Sequence, residues 1–200
     1  SASLVGSEMC IRDRKVLLLN GSRREKGCTY TALSEIAQTL EKQGIQAEII
    51  HAVPETEIIK SVAEKVKTAD GLVVGSPVYW ASPSGEIISF MDRLSSLAGK
   101  DLLHKPAAAV ASARRAGTTA TLDVLAKYFT YHQMPVVSAN YWNVVHGNTP
   151  DEVKKDAEGM QIMRVLGNNM AWLLKCIEAG KNNGVQIPET EAKIMTNFIR

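Results

Sequence analysis

Three cysteines in 200 residues, at positions 10, 28 and 176, are too few and too scattered for a disulfide framework or a metal-ligand cluster. A reducing cytoplasm is therefore the expected compartment. Charge of one sign is also missing: 23 Lys and Arg against 21 Asp and Glu leave a net +2. That balance excludes the basic face expected of a nucleic-acid binder and the polybasic stretch of a membrane-surface protein. No apolar run approaches the ~20 residues that cross a bilayer. Both common nucleotide fingerprints are absent. Gly21-Ser22-Arg23 lacks the second glycine of the dinucleotide motif. Five residues separate Gly21 from Gly27, with Cys28 where the triphosphate loop needs lysine. There is no internal repeat, and no acid–base dyad stands out.

The chain is 45% hydrophobic, ample for the core of one globular domain. Its organising stretch runs from Lys15 to Thr31. Val16-Leu17-Leu18-Leu19 reads as a strand buried on both faces. A small, hydroxylated, basic segment follows, from Asn20 to Thr29, and then Leu33, Ile36, Ala37 and Leu40 recur at helical spacing. A strand, a glycine-bearing loop and a helix N-terminus make an anion site, because first-turn N–H groups lack intrahelical partners and sit at the positive end of the dipole. With both fingerprints missing, the remaining anion is a monophosphate held by hydroxyls and N–H groups. The competing reading is an ordinary polar turn.

Further strands are expected at Gln46–Ile50, Gly71–Ser76, Lys105–Ser112 and Pro135–Ser138. Helices are expected between them, marked by Ile58, Ile59, Val62 and Val66, by Ile87, Ile88, Met91, Leu94 and Leu97, and by Leu122, Leu125, Ala126 and Phe129. Pro83 suits the first turn of the second of these. Thr149-Pro150-Asp151-Glu152 is a capping box opening one long helix to about Gly180, with Met163, Leu166, Met170, Leu173 and Ile177 as its stripe. Cys176 reads as core on that helix. Residues 1–14 have no steady period and no signal-like apolar core. They look like translated sequencing-adapter read-through and are read as a non-native or disordered leader. Residues 15–184 form the domain and 185–200 a tail in which Phe198 and Ile199 are candidates to dock. Alternating strands and helices predict a parallel sheet covered on both faces. The loops after the first, third and fourth strands then open on one edge, where ligands bind in such sheets.

The pair Asn20-Gly21-Ser22-Arg23-Arg24 through Thr29 and Gly75-Ser76-Pro77-Val78-Tyr79-Trp80 resembles the flavodoxin-like NAD(P)H-dependent FMN reductase family. The nearest branch is the one related to iron–sulfur flavoproteins. The resemblance spans roughly Lys15 to Gly147. It implies a flavodoxin-like α/β three-layer sandwich, a five-stranded parallel sheet of order 2-1-3-4-5 with a long C-terminal helix, and non-covalent FMN with NAD(P)H as co-substrate. By the same resemblance Ser22, Arg24, Cys28, Thr29 and Tyr30 hold the phosphate. Pro77, Val78, Tyr79 and Trp80 run along the flavin ring with Ala81 and Ser82 beside them, and Ser112, Ala113, Arg114 and Gly117 flank its other side. The branch's four-cysteine cluster is missing, so no metal or iron–sulfur cluster is expected.

Physically, the flat flavin ring needs apolar faces and N–H donors, which Tyr79, Trp80 and the loop backbones can supply. Arg114 is the candidate to stabilise the reduced ring near N1; Arg115 reads equally as a solvated strand end. A helix N-terminus would lower the Cys28 pKa. His146 as a proton relay has little to distinguish it from an ordinary surface histidine, and the loop from Asn140 to His146 reads as a sheet cover or subunit contact. The expected function is an FMN-dependent oxidoreductase passing hydride from NAD(P)H to a flavin, quinone or similar small acceptor. The alternatives are a flavodoxin-type one-electron carrier and a flavin-binding module without turnover. Carriers of that type resemble strongly acidic proteins, and a pI near 8.4 tells against one. The helix stripe with Tyr141 and Trp142 predicts a homodimer or homotetramer.

Overall fold

The computed structural model describes residues 14–196, so the leader apart from Arg14, and the residues Phe198 and Ile199, lie outside the described residues. The chain alternates in the order β1 (Lys15–Asn20), α1 (Cys28–Lys42), β2 (Gln46–His51), α2 (Thr56–Thr68), β3 (Gly71–Tyr79), β4 (Ser82–Pro83), α3 (Gly85–Leu102), β5 (Ala107–Ala113), α4 (Thr118–Tyr131), β6 (Val144–His146), α5 (Pro150–Lys155) and α6 (Ala157–Asn182). The parallel sheet has the order β2-β1-β3-β5-β6, with β4 pairing antiparallel to β3 alone. Leaving out β4, this is the 2-1-3-4-5 order expected from the sequence.

The continuous apolar run of β1 serves two cores. Leu17 and Leu19 pack with Leu72, Val74 and helices α2, α3 and α4 on one face. Val16 and Leu18 pack with Val73, Val110 and helices α1 and α6 on the other. Successive strand side chains point to opposite faces, so a strand covered on both sides must be apolar throughout.

Several expected elements differ. The run Pro135–Ser138 makes an isolated bridge between Val136 and Ala107, and the edge strand is Val144–His146, inside the stretch read as a loop. The Asn143 side-chain amide donates to the Ala109 carbonyl at 3.1 Å, standing in for a ladder bond while the chain between bulges outward. The helix after the capping box is two helices, because Asp156 breaks it. Its carboxylate accepts from the Gly159 N–H at 2.9 Å and the His146 N–H at 2.7 Å, competing with the helical backbone. Pro83 lies in β4; Ser84 is the cap of α3, accepting from the Ile87 N–H at 3.2 Å. Leu97 turns outward at 61% exposure, and the face of α3 is completed by Phe90, Ala98 and Leu102. Cys176 is exposed, since Leu174 faces the core and two further residues rotate about 200° around a helix. Of the expected stripe, Met163, Leu166 and Met170 are buried within this chain's own core against α1 and the sheet, while Leu173 and Ile177 are half-buried.

His132 caps the C-terminus of α4, buried beside Gly99 of α3, and its Nε2 has no partner among the described residues. Burial depresses its pKa below the ordinary 6.5. The unfolded chain therefore takes up the proton first, so the stabilising term is present above about pH 6.5 and is lost as pH falls through the lower folded value. Denaturant unfolding between pH 7 and pH 5 should show stability falling, with a shallower slope in His132→Gln; equal slopes would exclude His132 as the source.

Candidate functional site

The carboxyl ends of β1, β3 and β5 meet at one edge. Asn20 pairs with Gly75 across β1 and β3, Pro77 with Ser112 across β3 and β5, and Ala113 with His146 across β5 and β6. Three loops rise there: residues 21–27, the β3–β4 hairpin, and residues 114–117.

The first loop is shaped from below by Asn20, itself 1% exposed. Its side chain accepts from the Ser22 N–H at 3.1 Å and donates to the Glu25 carbonyl at 2.7 Å. The Ser22 Oγ accepts from the Arg24 N–H at 3.1 Å, which leaves the hydroxyl proton to donate elsewhere. His51 at the end of β2 lies 2.7 Å by Nε2 from the Ser22 carbonyl, and as a carbonyl only accepts, that nitrogen carries the proton. Helix α1 then starts from Gly27, a cap without a side chain, so no cap hydrogen bond occupies the first turn. The N–H groups of Cys28, Thr29 and Tyr30 precede the first intrahelical bond, which runs from the Thr31 N–H to the Gly27 carbonyl. A Cβ on Gly27 would stand 3.6 Å from the Ser22 Oγ, filling the cradle.

Thr29 and Ser112, both buried, share a hydrogen bond at 2.8 Å, joining the floor of the first loop to the end of β5. Cys28 donates weakly from Sγ to the Gly147 carbonyl at 3.7 Å. Burial pushes its thiol upward, outweighing the lowering by its own helix-start N–H and by Arg24, contrary to the lowered pKa expected from the helix N-terminus. At neutral pH it is a thiol. Arg24 is exposed at the loop crest, and Tyr30 lines a separate recess between α1 and the α5–α6 segment with Lys154 and Met160.

The second loop is a hairpin. Val78 pairs with Pro83 and Tyr79 with Ser82, so Trp80 and Ala81 form a two-residue turn. Their φ values of 54° and 57° are left-handed, as a primed turn demands. The usual Asn-Gly signal is absent, so the hairpin is not legible in the sequence, and two non-glycine residues there carry about 1–3 kcal/mol of strain each. Ser84 ties this loop to the first: its Oγ donates to the Gly21 carbonyl at 2.6 Å, and its N–H donates to the Ser76 Oγ at 2.9 Å. Gly117, at φ 97°, closes the third loop onto the hairpin, where a Cβ would lie 2.7 Å from both Ala81 Cα and Val78 Cγ1. Arg114 and Arg115 are exposed, with no ion-pair partner among the described residues.

The sequence reading missed Arg23. Its Nε donates to Glu86 Oε1 at 2.5 Å and its guanidinium lies 5.5 Å from the Tyr79 ring centre. Hydrogen bonding to Glu86 raises the Arg23 pKa; burial would raise that of Glu86, but its own backbone N–H and Arg23 bring it below the ordinary range. Asn20, His51, Ser76 and Ser84 were likewise outside the expected set. Asn20 alone carried a local signal, an Asx turn into Ser22. His146 ends β6 with Nδ1 3.9 Å from Asp156 Oδ2.

This donor set fits a phosphate monoester: neutral hydroxyls, uncapped helix N–H groups and no carboxylate hydrogen-bonded within the cradle. No cluster of three or more metal-ligating side chains exists among the described residues, and no described helix is long and apolar enough to cross a membrane. The fold and site define a flavodoxin-like phosphate-binding protein of the parallel α/β class. Residues 14–149 match the NADPH-dependent FMN reductase family, and the chain belongs to that family. It is a flavoprotein oxidoreductase with FMN as cofactor and NADPH as the family's electron donor. An iron–sulfur flavoprotein of Methanocaldococcus jannaschii is 29% identical over 191 residues, covering 82% of this chain and 99% of that protein. An NADPH azoreductase of a Bacillus species is 31% identical over 108 residues, covering 50% of this chain and 58% of that protein. Among solved structures, RosB with bound 8-demethyl-8-formylriboflavin-5'-phosphate superposes with a TM-score of 0.70 at 17% identity, covering 94% of each chain. A WrbA-like flavodoxin of Agrobacterium tumefaciens gives 0.65 at 17% identity, over 82% of this chain and 99% of that one.

Proposed function

We propose that the protein catalyses two-electron transfer from NAD(P)H to a small acceptor such as a quinone or free flavin. The observation that carries this reading is the convergence of an uncapped phosphate cradle with a strained aromatic hairpin at one sheet edge. NAD(P)H is oxidised to NAD(P)+, and a quinone gains two electrons and two protons, the second proton coming from water. FMN, when bound, supplies the hydride relay between them. Ser22 and the first-turn N–H groups of α1 would hold its phosphate, and Val78, Tyr79 and the loop from Ser112 to Gly117 would bound the ring. Arg114, exposed at the carboxyl end of β5, would supply positive charge to that edge. No fixed acid or base is required of the chain.

The test is anaerobic mixing of the FMN-loaded protein with NADPH and, separately, NADH, followed at the flavin's visible absorption band. Direct bleaching with little semiquinone is expected, and FMN should bind more tightly than FAD, whose adenylate finds no second cradle. A flavin that neither nicotinamide reduces, with stable blue semiquinone under dithionite, would favour the one-electron carrier. Assembly as a homodimer or homotetramer is part of the same proposal. Tyr141, Trp142 and Trp172 remain 54%, 57% and 67% exposed, aromatic area suited to a subunit contact. Light scattering at micromolar concentration should give a mass above that of one chain.

A further inference from the structure

The opposite pole of the sheet holds a cavity of about 910 Å³. It lies at the amino ends of β1, β3 and β5, which Arg14, Asp70 and Pro106 immediately precede. The last turns of α6 form one wall. Residues 185–188 of the tail fold back as another, anchored by the Val185 N–H donating to the Gly180 carbonyl at 3.0 Å. A six-residue parallel strand is about 20 Å long, so a full strand length separates this space from the phosphate cradle. None of its lining residues comes from the stretches 21–27, 77–85 or 112–117.

The walls are aliphatic. Leu103, Pro106, Leu174, Ile177, Val185 and Ile187 contribute to them, and no Phe, Tyr or Trp does among the described residues. Such walls give dispersion contact to a flexible chain but no face on which a flat ring stacks. Charge in the lining is unequal: Arg14, Lys105 and Lys181 stand against Asp70 and Glu178, one cation in excess. Arg14 pairs with Glu178 through Nη2, and Lys105 donates to the Val66 carbonyl. Lys181 is exposed, with no ion-pair partner among the described residues. Two buried nitrogens of lining residues, Arg14 Nε and His104 Nε2, have no hydrogen-bond partner among the described residues, an unfavourable state. His104 also holds a left-handed φ of 61°, which a non-glycine residue adopts at a cost. Strain and unmade hydrogen bonds thus gather in the lining of one mostly apolar cavity, of a volume suited to a small molecule.

We infer that this cavity is a second binding site, separate from the flavin's, and that it takes an aliphatic carboxylate. The hydrocarbon chain lies against the leucine and isoleucine walls beneath the tail. The carboxylate accepts from Arg14 and His104, and Lys181 supplies the charge that balances it. A neutral chain would leave the excess cation unmatched, and a flat aromatic acid would find nothing to stack on. The inference does not depend on which acceptor the flavin reduces.

The test is calorimetric titration of the FMN-loaded protein with decanoate, and in parallel with octanoate and 1-decanol. Saturable one-to-one binding of decanoate is expected. Octanoate, two methylenes shorter, should bind about fifteenfold more weakly. 1-Decanol, which lacks the charge, should bind about tenfold more weakly. Ile187 is 54% exposed on the tail, so Ile187→Asp should leave the thermal midpoint unchanged while raising the decanoate Kd at least about tenfold. His104→Gly should raise that Kd about fivefold yet hold or raise the midpoint, because glycine adopts the left-handed φ without strain. A histidine that only supported the fold would lower the midpoint and leave the Kd alone. Bound decanoate should also slow hydrogen exchange at residues 185–188. Uptake that does not saturate, or a Kd unmoved by both substitutions, would overturn the assignment. So would displacement of FMN by decanoate, which would give the ligand to the flavin site. Every measurement is made without NADPH, so the outcome stands apart from the reductase reading.

Discussion

Gly21→Ala is expected to destabilise the protein by about 3 kcal/mol, the upper end of overpacking costs, and to lower the thermal midpoint by roughly 6–12 °C. A Cβ at this position would lie 2.4 Å from Ile87 Cβ and 2.8 Å from Ile87 Cγ1. The obstacle is the branched root of a fully buried side chain, so a rotamer change does not relieve it. Backbone movement is closed off as well. The Gly21 N–H donates to the Gly75 carbonyl at 2.8 Å, and its own carbonyl accepts from Ser84 at 2.6 Å. The loop is thus pinned to β3 on one side and to the α3 cap on the other. Ile87→Ala alone should cost about 2–5 kcal/mol through the cavity it leaves. The double variant should be more stable than the sum of the two by about 1 kcal/mol, because alanine removes the Cγ1 and Cδ1 contacts at 2.8 and 3.0 Å, while the contact with the Cβ that alanine keeps remains. Additivity within about 0.5 kcal/mol in denaturant titrations would show that the two residues do not share that space.

Gly27→Val carries the largest expected effect on cofactor binding. The new Cβ would stand 3.1 Å from Arg24 Cβ and 3.6 Å from Ser22 Oγ, with its two methyl groups still to be placed. Gly27 does not have a left-handed φ, being at −89°, so the substitution strains the backbone little and acts by occupying space. It removes room for a phosphate among the hydroxyl of Ser22 and the uncapped N–H groups, and those groups are the whole of the neutral donor set. FMN affinity should fall at least about 100-fold, equivalent to roughly 2.7 kcal/mol. Riboflavin, which lacks the phosphate, should bind the variant and the parent alike. Ser22→Ala should weaken FMN less, by about 1–3 kcal/mol for the loss of one donor. Fluorescence titration of the apoprotein with both flavins measures all of this. Equal losses for FMN and riboflavin would move the phosphate away from this loop.

Much of the architecture was legible because each covering layer leaves a local trace. Strands buried on both faces must be apolar without interruption, as in Val16–Leu19, and amphipathic helices must repeat every three to four residues, as in Leu33, Ile36 and Leu40. An anion loop lying between them is recognisable from small and hydroxyl residues alone, so Ser22 and the start of α1 could be named from the chain. What the sequence could not determine depends on groups far apart along it. Asn143 replaces a backbone bond to β5, and that substitution splits the edge strand. Asp156 breaks a helix by bonding back to His146, while Trp80 and Ala81 adopt a turn that their own preferences oppose, held by Gly117. Arg23 rather than Arg24 reaches across to Glu86 and Tyr79, and two adjacent arginines have no local feature to tell them apart. Burial, not the helix dipole, decides the state of Cys28. Periodicity and composition fix which face of an element is apolar, whereas capping by distant side chains, desolvation and enforced strain arise only when the elements are packed together.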